Sequence, residues 1–435
     1  MHKSILRLAL PAIISNITVP LLGIVDLSIV GHLGSERYIA AIAVGSMVFN
    51  VMYWLMGFLR MGTSGLTSQA LGRGDEEDLC RLYFRGLYSA LAIGALFIAL
   101  QWPLRHLSLF LMQVSADNAP YVSSYFNICI WGAPAMLGTY ALTGWFIGMQ
   151  NTRMPMLISI AQNIINIILS LTFVFALRMN IEGVALGTML SQWIAFLMSL
   201  CLSMRLGVKT VTSWHVRGFN VLANKNPKSA ANVNRDIFLR TICLVAVNLY
   251  FTSAGSAQGT MMLAVNTLLM TMFTIFSYIM DGFAFAGEAL GGKLYGAGKT
   301  NELYRLKNQL VVWGVGMAAS FTLLYGLFYK QLLYLLTDQD SIIVAAIPYM
   351  PYVLLVPVVS FMAFIFDGLF IGLTLTRQML VTCFIATAIF FSVYLSLSPT
   401  LHNSALWIAY LSFLLVRGVG QWIVFHYNEK PSHHA

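Results

Sequence analysis

Charge is what this chain has least of. Asp, Glu, Lys and Arg make up 9% of its 435 residues, where a soluble domain carries about 25%, so a water-soluble globular fold is excluded. Cysteine is also scarce. Cys80, Cys129, Cys201, Cys243 and Cys383 show no CxxC spacing and no histidine at metal-ligand spacing, so neither a disulfide framework nor a metal site is expected. Four of them sit in apolar runs, as small buried hydrophobes do. There is no GxxxxGK[ST] phosphate loop, no GxSxG elbow and no acid-rich loop motif, which sets enzymes aside and leaves no cofactor to expect.

What the chain has in abundance is apolar length. Hydrophobic residues make up 58% of it. Runs able to supply a span of about 20 residues recur near 5–32, 38–68, 84–112, 119–148, 155–178, 183–204, 236–254, 260–290, 308–329, 342–372, 379–397 and 404–427. An all-α polytopic membrane protein of twelve transmembrane helices is expected, multi-pass in the cell membrane. The first run is too long for a removed leader, and no A-x-A site follows it.

The formal net charge of +9 is not a nucleic-acid signal. With the N-terminus inside, most Lys and Arg between the runs fall on the cytoplasmic side. Only Arg37, Arg105, Arg178 and Lys330 fall on the other, so the positive-inside rule puts both termini in the cytoplasm. Residues 205–235, rich in Lys, Asn and Ser, read as a cytoplasmic linker. It joins an N-terminal six-helix lobe (1–204) to a C-terminal one (236–427), with a tail at 428–435.

The two halves repeat. The stretch from Gly65 through Gly72-Arg73-Gly74 to Leu79-Cys80-Arg81-Leu82 aligns with the one from Ala289 through Gly296-Ala297-Gly298 to Leu303-Tyr304-Arg305-Leu306. At the same offset, Gly144-Trp145-Phe146-Ile147-Gly148 meets Gly368-Leu369-Phe370-Ile371-Gly372. Two separate stretches on one offset indicate a parallel repeat, the arrangement in which transporters hold substrate between halves that rock. Each G-x-G should end a helix through left-handed backbone, and each Leu-x-Arg-Leu should begin a short amphipathic turn.

Within the runs, Asp26 stands out. A carboxylate that deep costs several kcal/mol, by order of magnitude, unless protonated, paired or facing water; the plainer alternative is an acid near the end of its span. Pro20, six residues upstream, frees a backbone carbonyl, and Pro20 and Pro11 are the expected bending points. Ser15, Thr18, Leu22 and Asp26 share one helix face, as do Asn163, Asn166 and Ser170 in the fifth run, and the sixth adds Thr188, Ser191 and Gln192. Together they are expected to line one polar cavity with Asp26 its only acid. Alternatively, each merely bonds a neighbouring helix, worth about 0.6–2 kcal/mol. The second half holds Asp281 and Asp367, further candidates for ion coupling, and Glu288 nearer a helix end. Arg60 reads as the lone cation well inside a run; the repeat sets it opposite Ala284, within a turn of Asp281, and pairing with Asp281 or Glu288 would neutralise both charges.

Val25-Asp26, continuing to Val30-Gly31-His32-Leu33-Gly34, resembles the end of span 1 in the multidrug and toxic compound extrusion family. Phe58-Leu59-Arg60-Met61, Asn234-Arg235-Asp236-Ile237, Asp281-Gly282-Phe283-Ala284 and Tyr295-Gly296-Ala297 are similar to its DinF branch. The resemblance covers nearly the whole chain. It implies an antiporter that expels amphipathic, often cationic, compounds on an inward flow of protons or sodium. It also implies that Asp26 couples the ion, that Asn166 and Thr188 line the same cavity, and that Asp367 matches an acid linked to cation coupling or substrate. Two positions depart from the pattern. Ser170 stands where some relatives carry a second acid, and Leu22 where some carry an aromatic, so Asp26 has to titrate alone or share the work with Asp367 and Asp281. The expected function is proton-coupled antiport by a monomer. Sodium coupling and the flipping of a lipid-linked precursor are the alternatives, the latter set back because the intramembrane charges read as mainly acidic.

Overall fold

Lipid offers no partner to a backbone N–H or C=O, so apolar runs of this length must close their hydrogen bonds internally as helices. The computed structural model describes the backbone of residues 1–31, 36–206 and 227–428; within these, the side chains of 19–24, 26, 27, 30, 31, 36, 206, 227–229 and 428 lie outside the description. Every element among the described residues is helical. In the first half these are α1 (His2–Gly31), α2 (Glu36–Leu55), α3 (Phe58–Arg73), α4 (Glu76–Ala99), α5 (Gln101–Leu111), α6 (Ala119–Cys129), α7 (Ala133–Gly148), α8 (Arg153–Leu171) and α9 (Asn180–Leu206). The second half holds α10 (Pro227–Ala257), α11 (Thr260–Gly296), α12 (Thr300–Leu336), α13 (Asp340–Ala346), α14 (Met350–Gly372), α15 (Thr376–Leu401) and α16 (Asn403–Asn428). Ten stretches of the described residues are long and apolar enough to cross a membrane. The 30-residue α1 and the pair α6–α7, joined by the 3-10 turn Ile130–Gly132, complete the expected twelve.

Two details differ from expectation. The third run divides: α4 stops at Ala99, and α5 follows with none of its residues buried. Pro103, which has no N–H to return to Ala99, explains why the helix does not simply continue. The Leu-x-Arg-Leu segments start no separate turn but lie inside the long helices α4 and α12. Each G-x-G does end its helix as expected, with Gly74 at φ 70° and Gly298 at φ 69°. After Gly74, Asp75 caps α4 by accepting the Asp78 N–H at 2.9 Å.

The described contacts divide the chain into two compact units. One is Ile14–Asn234; the other joins Met1–Ile13 to Arg235–Ala435. The first turns of α1 therefore group with the second half, whereas the whole of 1–204 was expected in the first lobe. The reason is local packing: Gly282 of α11 lies against the Ala9 carbonyl and Ile13 with no room for a Cβ, and Trp313 donates to His2 Nδ1 at 3.1 Å.

Each unit contains the same helix crossing. In the first, α7 lies on α3 so closely that a Cβ on Gly144 would meet the Arg60 backbone, and one on Gly148 the Ser64 carbonyl. In the second, α14 lies on α11 with Gly368 against the Ala284 backbone and Gly372 against that of Glu288. All four contacts keep the repeat's single offset, so the sequence repeat is a repeat of close helix packing through small residues. The second unit's core is aromatic, with Phe251 edge-on to Trp407 at 5.2 Å, and a reciprocal amide pair, Asn266 with Asn403 at 2.7 and 3.0 Å, also accepts the Trp407 N–H through Asn266.

Gly144→Val and Gly368→Val should each destabilise the protein by about 1–3 kcal/mol, the usual cost of overpacking. Thermal unfolding in detergent checks this, with Gly316→Val, which would meet open space, as the control that should move much less.

Candidate functional site

In the unit Ile14–Asn234, polar side chains of α1, α8 and α9 meet inside the apolar packing. Asn163 Nδ2 donates to the Thr18 carbonyl at 3.0 Å, and Thr18 Oγ1 lies 3.3 Å from Ser159 Oγ. One turn on, Asn166 Nδ2 donates to Thr188 Oγ1 at 3.1 Å, and Ser191 Oγ donates to the Thr188 carbonyl at 2.8 Å. Gln192 is buried on the same helix. Asn166 and Ser170 are fully buried, yet Asn166 Oδ1 and Ser170 Oγ have no hydrogen-bond partner among the described residues. Buried polar atoms are nearly always paired, and one left bare costs about 1–3 kcal/mol. Ser170 is held there by Gly187 of α9, whose bare Cα lets the two backbones touch, and α8 then ends in a π-helical turn, Thr172–Ala176.

The expected cavity residues Asn163, Asn166, Ser170, Thr188 and Gln192 thus lie on two packed helices, and α1 joins them at Thr18. Asp26 and Pro20 lie within α1 by their backbone, and their side chains are outside the described residues. Pro11 is buried in the same unbroken helix. Asp26 stands eight residues beyond Thr18, and Ser170 seven beyond Asn163. As first and fifth spans, α1 and α8 run the same way, so at 1.5 Å per residue the two positions share a depth, both about two turns past the Thr18–Asn163 bond.

The second unit has a cluster of different character. Asp367 on α14 forms ion pairs with Arg240 of α10 and, at 3.4 Å, with Arg417 of α16, while Gln421 Nε2 donates to its other oxygen at 2.6 Å. All four residues are buried. Arg417 also lies over the rings of Phe413 and Phe364, 5.6 and 5.9 Å from their centroids, a geometry that favours a cation. Nearby on α10, Asp236 is matched by Arg235 at 3.0 Å and accepts from Thr376 at 3.4 Å.

This overturns the expectation that Arg60 is the lone cation inside a span and that intramembrane charge is mainly acidic. Two arginines share one carboxylate here, and the cluster is cationic. The arginines were legible: both fall inside the expected runs 236–254 and 404–427, and the burial cost that singles out Asp26 applies to them equally. Of the other acids, Glu288 is buried and Asp281 half-buried on α11, which crosses α14 beside Asp367. Arg60 belongs to the other unit.

Two six-span halves built on one repeated crossing, each with buried polar groups among its spans, define a two-lobed polytopic membrane protein. A family model described as MatE matches residues 11–172 and 237–395. DNA damage-inducible protein F of Escherichia coli (strain K12) is 35% identical over 430 residues, covering 96% of this chain and 90% of that protein. Multidrug export protein MepA of Staphylococcus saprophyticus is 23% identical over 195 residues, 45% of this chain and 43% of its own. A crystal structure of MATE in the bent conformation superposes with a TM-score of 0.87 at 19% identity, over 98% of this chain and 95% of that one. The chain belongs to the MatE family. Its members are transporters, and it is a transporter and not an enzyme.

Removing the one carboxylate should strand both arginines. Asp367→Asn is expected to destabilise the protein by about 3–5 kcal/mol, the usual cost of breaking a buried pair, read as a fall in unfolding midpoint in detergent. A change within experimental scatter would mean the three side chains are not paired in solution.

Proposed function

We propose that this protein is a secondary antiporter that exports amphipathic or cationic compounds in exchange for protons, with Asp26 as the coupling acid and the α8–α9 polar cluster as part of its cavity. Membership of a transporter family supports the general class, and the similarity to MepA, a multidrug export protein, supports the substrate class. The observation that carries the coupling role is the buried Ser170 Oγ, without a hydrogen-bond partner among the described residues at the depth of Asp26 on a neighbouring span, with Asn166 Oδ1, likewise without one, about a turn away. Bare polar atoms in lipid surroundings call for a proton, water or ligand.

The coupling follows from an acid placed within a membrane span. Ionised, Asp26 attracts a cationic substrate; protonated, it removes a charge from the span and releases that substrate. The two forms must favour different conformations for exchange to result, and Pro11 and Pro20, which deprive α1 of two backbone hydrogen bonds, are where it yields most easily. With Ser170 in place of a second acid, one carboxylate does the titrating and Asn166 and Ser170 serve as its hydrogen-bonding surroundings.

The test is transport of a fluorescent amphipathic cation in proteoliposomes under a proton or a sodium gradient imposed separately. Export should follow the proton gradient and fall at least tenfold in Asp26→Asn, while Asn166→Ala should weaken it less. Export driven by sodium alone would replace the proton with sodium in the same scheme. Undiminished gradient-driven export in Asp26→Asn would remove Asp26 from coupling.

A further inference from the structure

The Arg240–Asp367–Arg417 cluster plays no part in the scheme above, and its charges do not balance. Two guanidiniums face a single carboxylate, with side chains only 5%, 6% and 10% exposed for Arg240, Arg417 and Asp367. The nearest other acid on α10, Asp236, is already matched by Arg235. An unmatched charge inside a membrane domain is costly and tends to mark function.

The hydrogen-bond inventory points the same way. A guanidinium has five donors and no acceptor, and Arg240 Nε and Arg417 Nε are both buried without a partner among the described residues. Gln421 spends its amide on Asp367 and leaves Oε1 bare. The cluster therefore has spare donors on both cations and one spare charge. Planar guanidiniums in pairs are suited to carboxylate, phosphate or sulfonate groups. The surplus is a single charge, so the fitting partner is a monoanion. The rings of Phe364 and Phe413, themselves buried beside Arg417, make the surroundings apolar, as the rest of such a molecule requires.

We propose that Arg240 and Arg417 form a binding site for an amphipathic monoanion, a carboxylate or sulfonate on an aromatic body, and that Asp367 is the built-in group such an anion displaces or joins. Asp367 then lowers the affinity of the empty site while keeping it from holding two bare cations. Gln421 orients Asp367 between the arginines and offers its spare oxygen to a protonated group on the ligand. The site is separate from the Asn166–Ser170 cluster, so one transporter presents an acid in one half and an arginine pair in the other, and can accept compounds of either sign.

The experiment is equilibrium dialysis of radiolabelled 1-naphthoate against the full-length protein in neutral-lipid nanodiscs, with chloride and 1-naphthylmethylammonium as competitors. Saturable binding of one naphthoate per chain is expected, little affected by the ammonium. Arg417→Gln and Arg240→Gln should each weaken it about tenfold or more, while their unfolding midpoints hold or rise, since each leaves one arginine against one carboxylate. Asp367→Asn should bind naphthoate about tenfold more tightly and be stabilised by it more than the wild type is. No saturable binding by either wild type or Asp367→Asn, unchanged binding in both arginine variants, loss of fold in both, or full displacement by chloride at equal concentration would overturn the proposal. Binding at equilibrium needs no gradient, so this result and that for Asp26 coupling stand or fall separately.

Discussion

Everything in this protein answers to one constraint: inside the membrane, a polar group must find its partner within the protein. That makes every described element a helix. It makes α3 and α7, or α11 and α14, approach until glycine is the only residue that fits, since packing has to supply what the hydrophobic effect cannot between helices in lipid. It also makes the exceptions informative. Asn266 and Asn403 satisfy each other and a tryptophan, and serve the core. Asn166 and Ser170 in one half, and Arg240, Arg417 and Gln421 in the other, are among the buried residues with polar atoms left unpaired by the described residues, and they stand out because each set gathers in one cluster.

The two polar clusters differ in how they are built. The α8–α9 cluster is neutral among its described side chains and reaches, at Ser170, the depth of an acid on α1. The Asp367 cluster is charged, over-supplied with donors and walled by aromatic rings. A cation entering the second would meet two guanidiniums, which fits poorly with Asp367 as a cation-coupling group and well with Asp367 as the arginines' own counter-charge. Division of labour between the halves is the simplest account of that contrast.

Much of this was legible in the sequence because the signals were periodic. Twelve apolar runs, the offset linking Gly144 to Gly368, and the left-handed glycines at 74 and 298 each follow from spacing and backbone sterics alone. The face of α8 carrying Asn163, Asn166 and Ser170 was legible for the same reason. What was missed has physical causes too. The break between α4 and α5 hinged on Pro103 within an otherwise apolar stretch. The grouping of Met1–Ile13 with the second half depends on Gly282 and Trp313, far away in sequence, which no local pattern can announce. Arg240 and Arg417 lay in plain view inside apolar runs; what the sequence could not show was that α10, α14 and α16 bring both to one carboxylate.

The repeated glycine crossing has a consequence of an evolutionary kind. Where two backbones touch, a duplicated half cannot drift, and the four glycines have kept their register. The neighbouring positions are under no such restraint and have changed chemistry. Arg60 in one copy answers to Ala284 in the other, Ser64 to Glu288, and Thr143 to Asp367. Duplication thus gave this protein two copies of one crossing and the liberty to fill the positions around each differently, so that one repeated contact came to stand among charges of unlike number and sign.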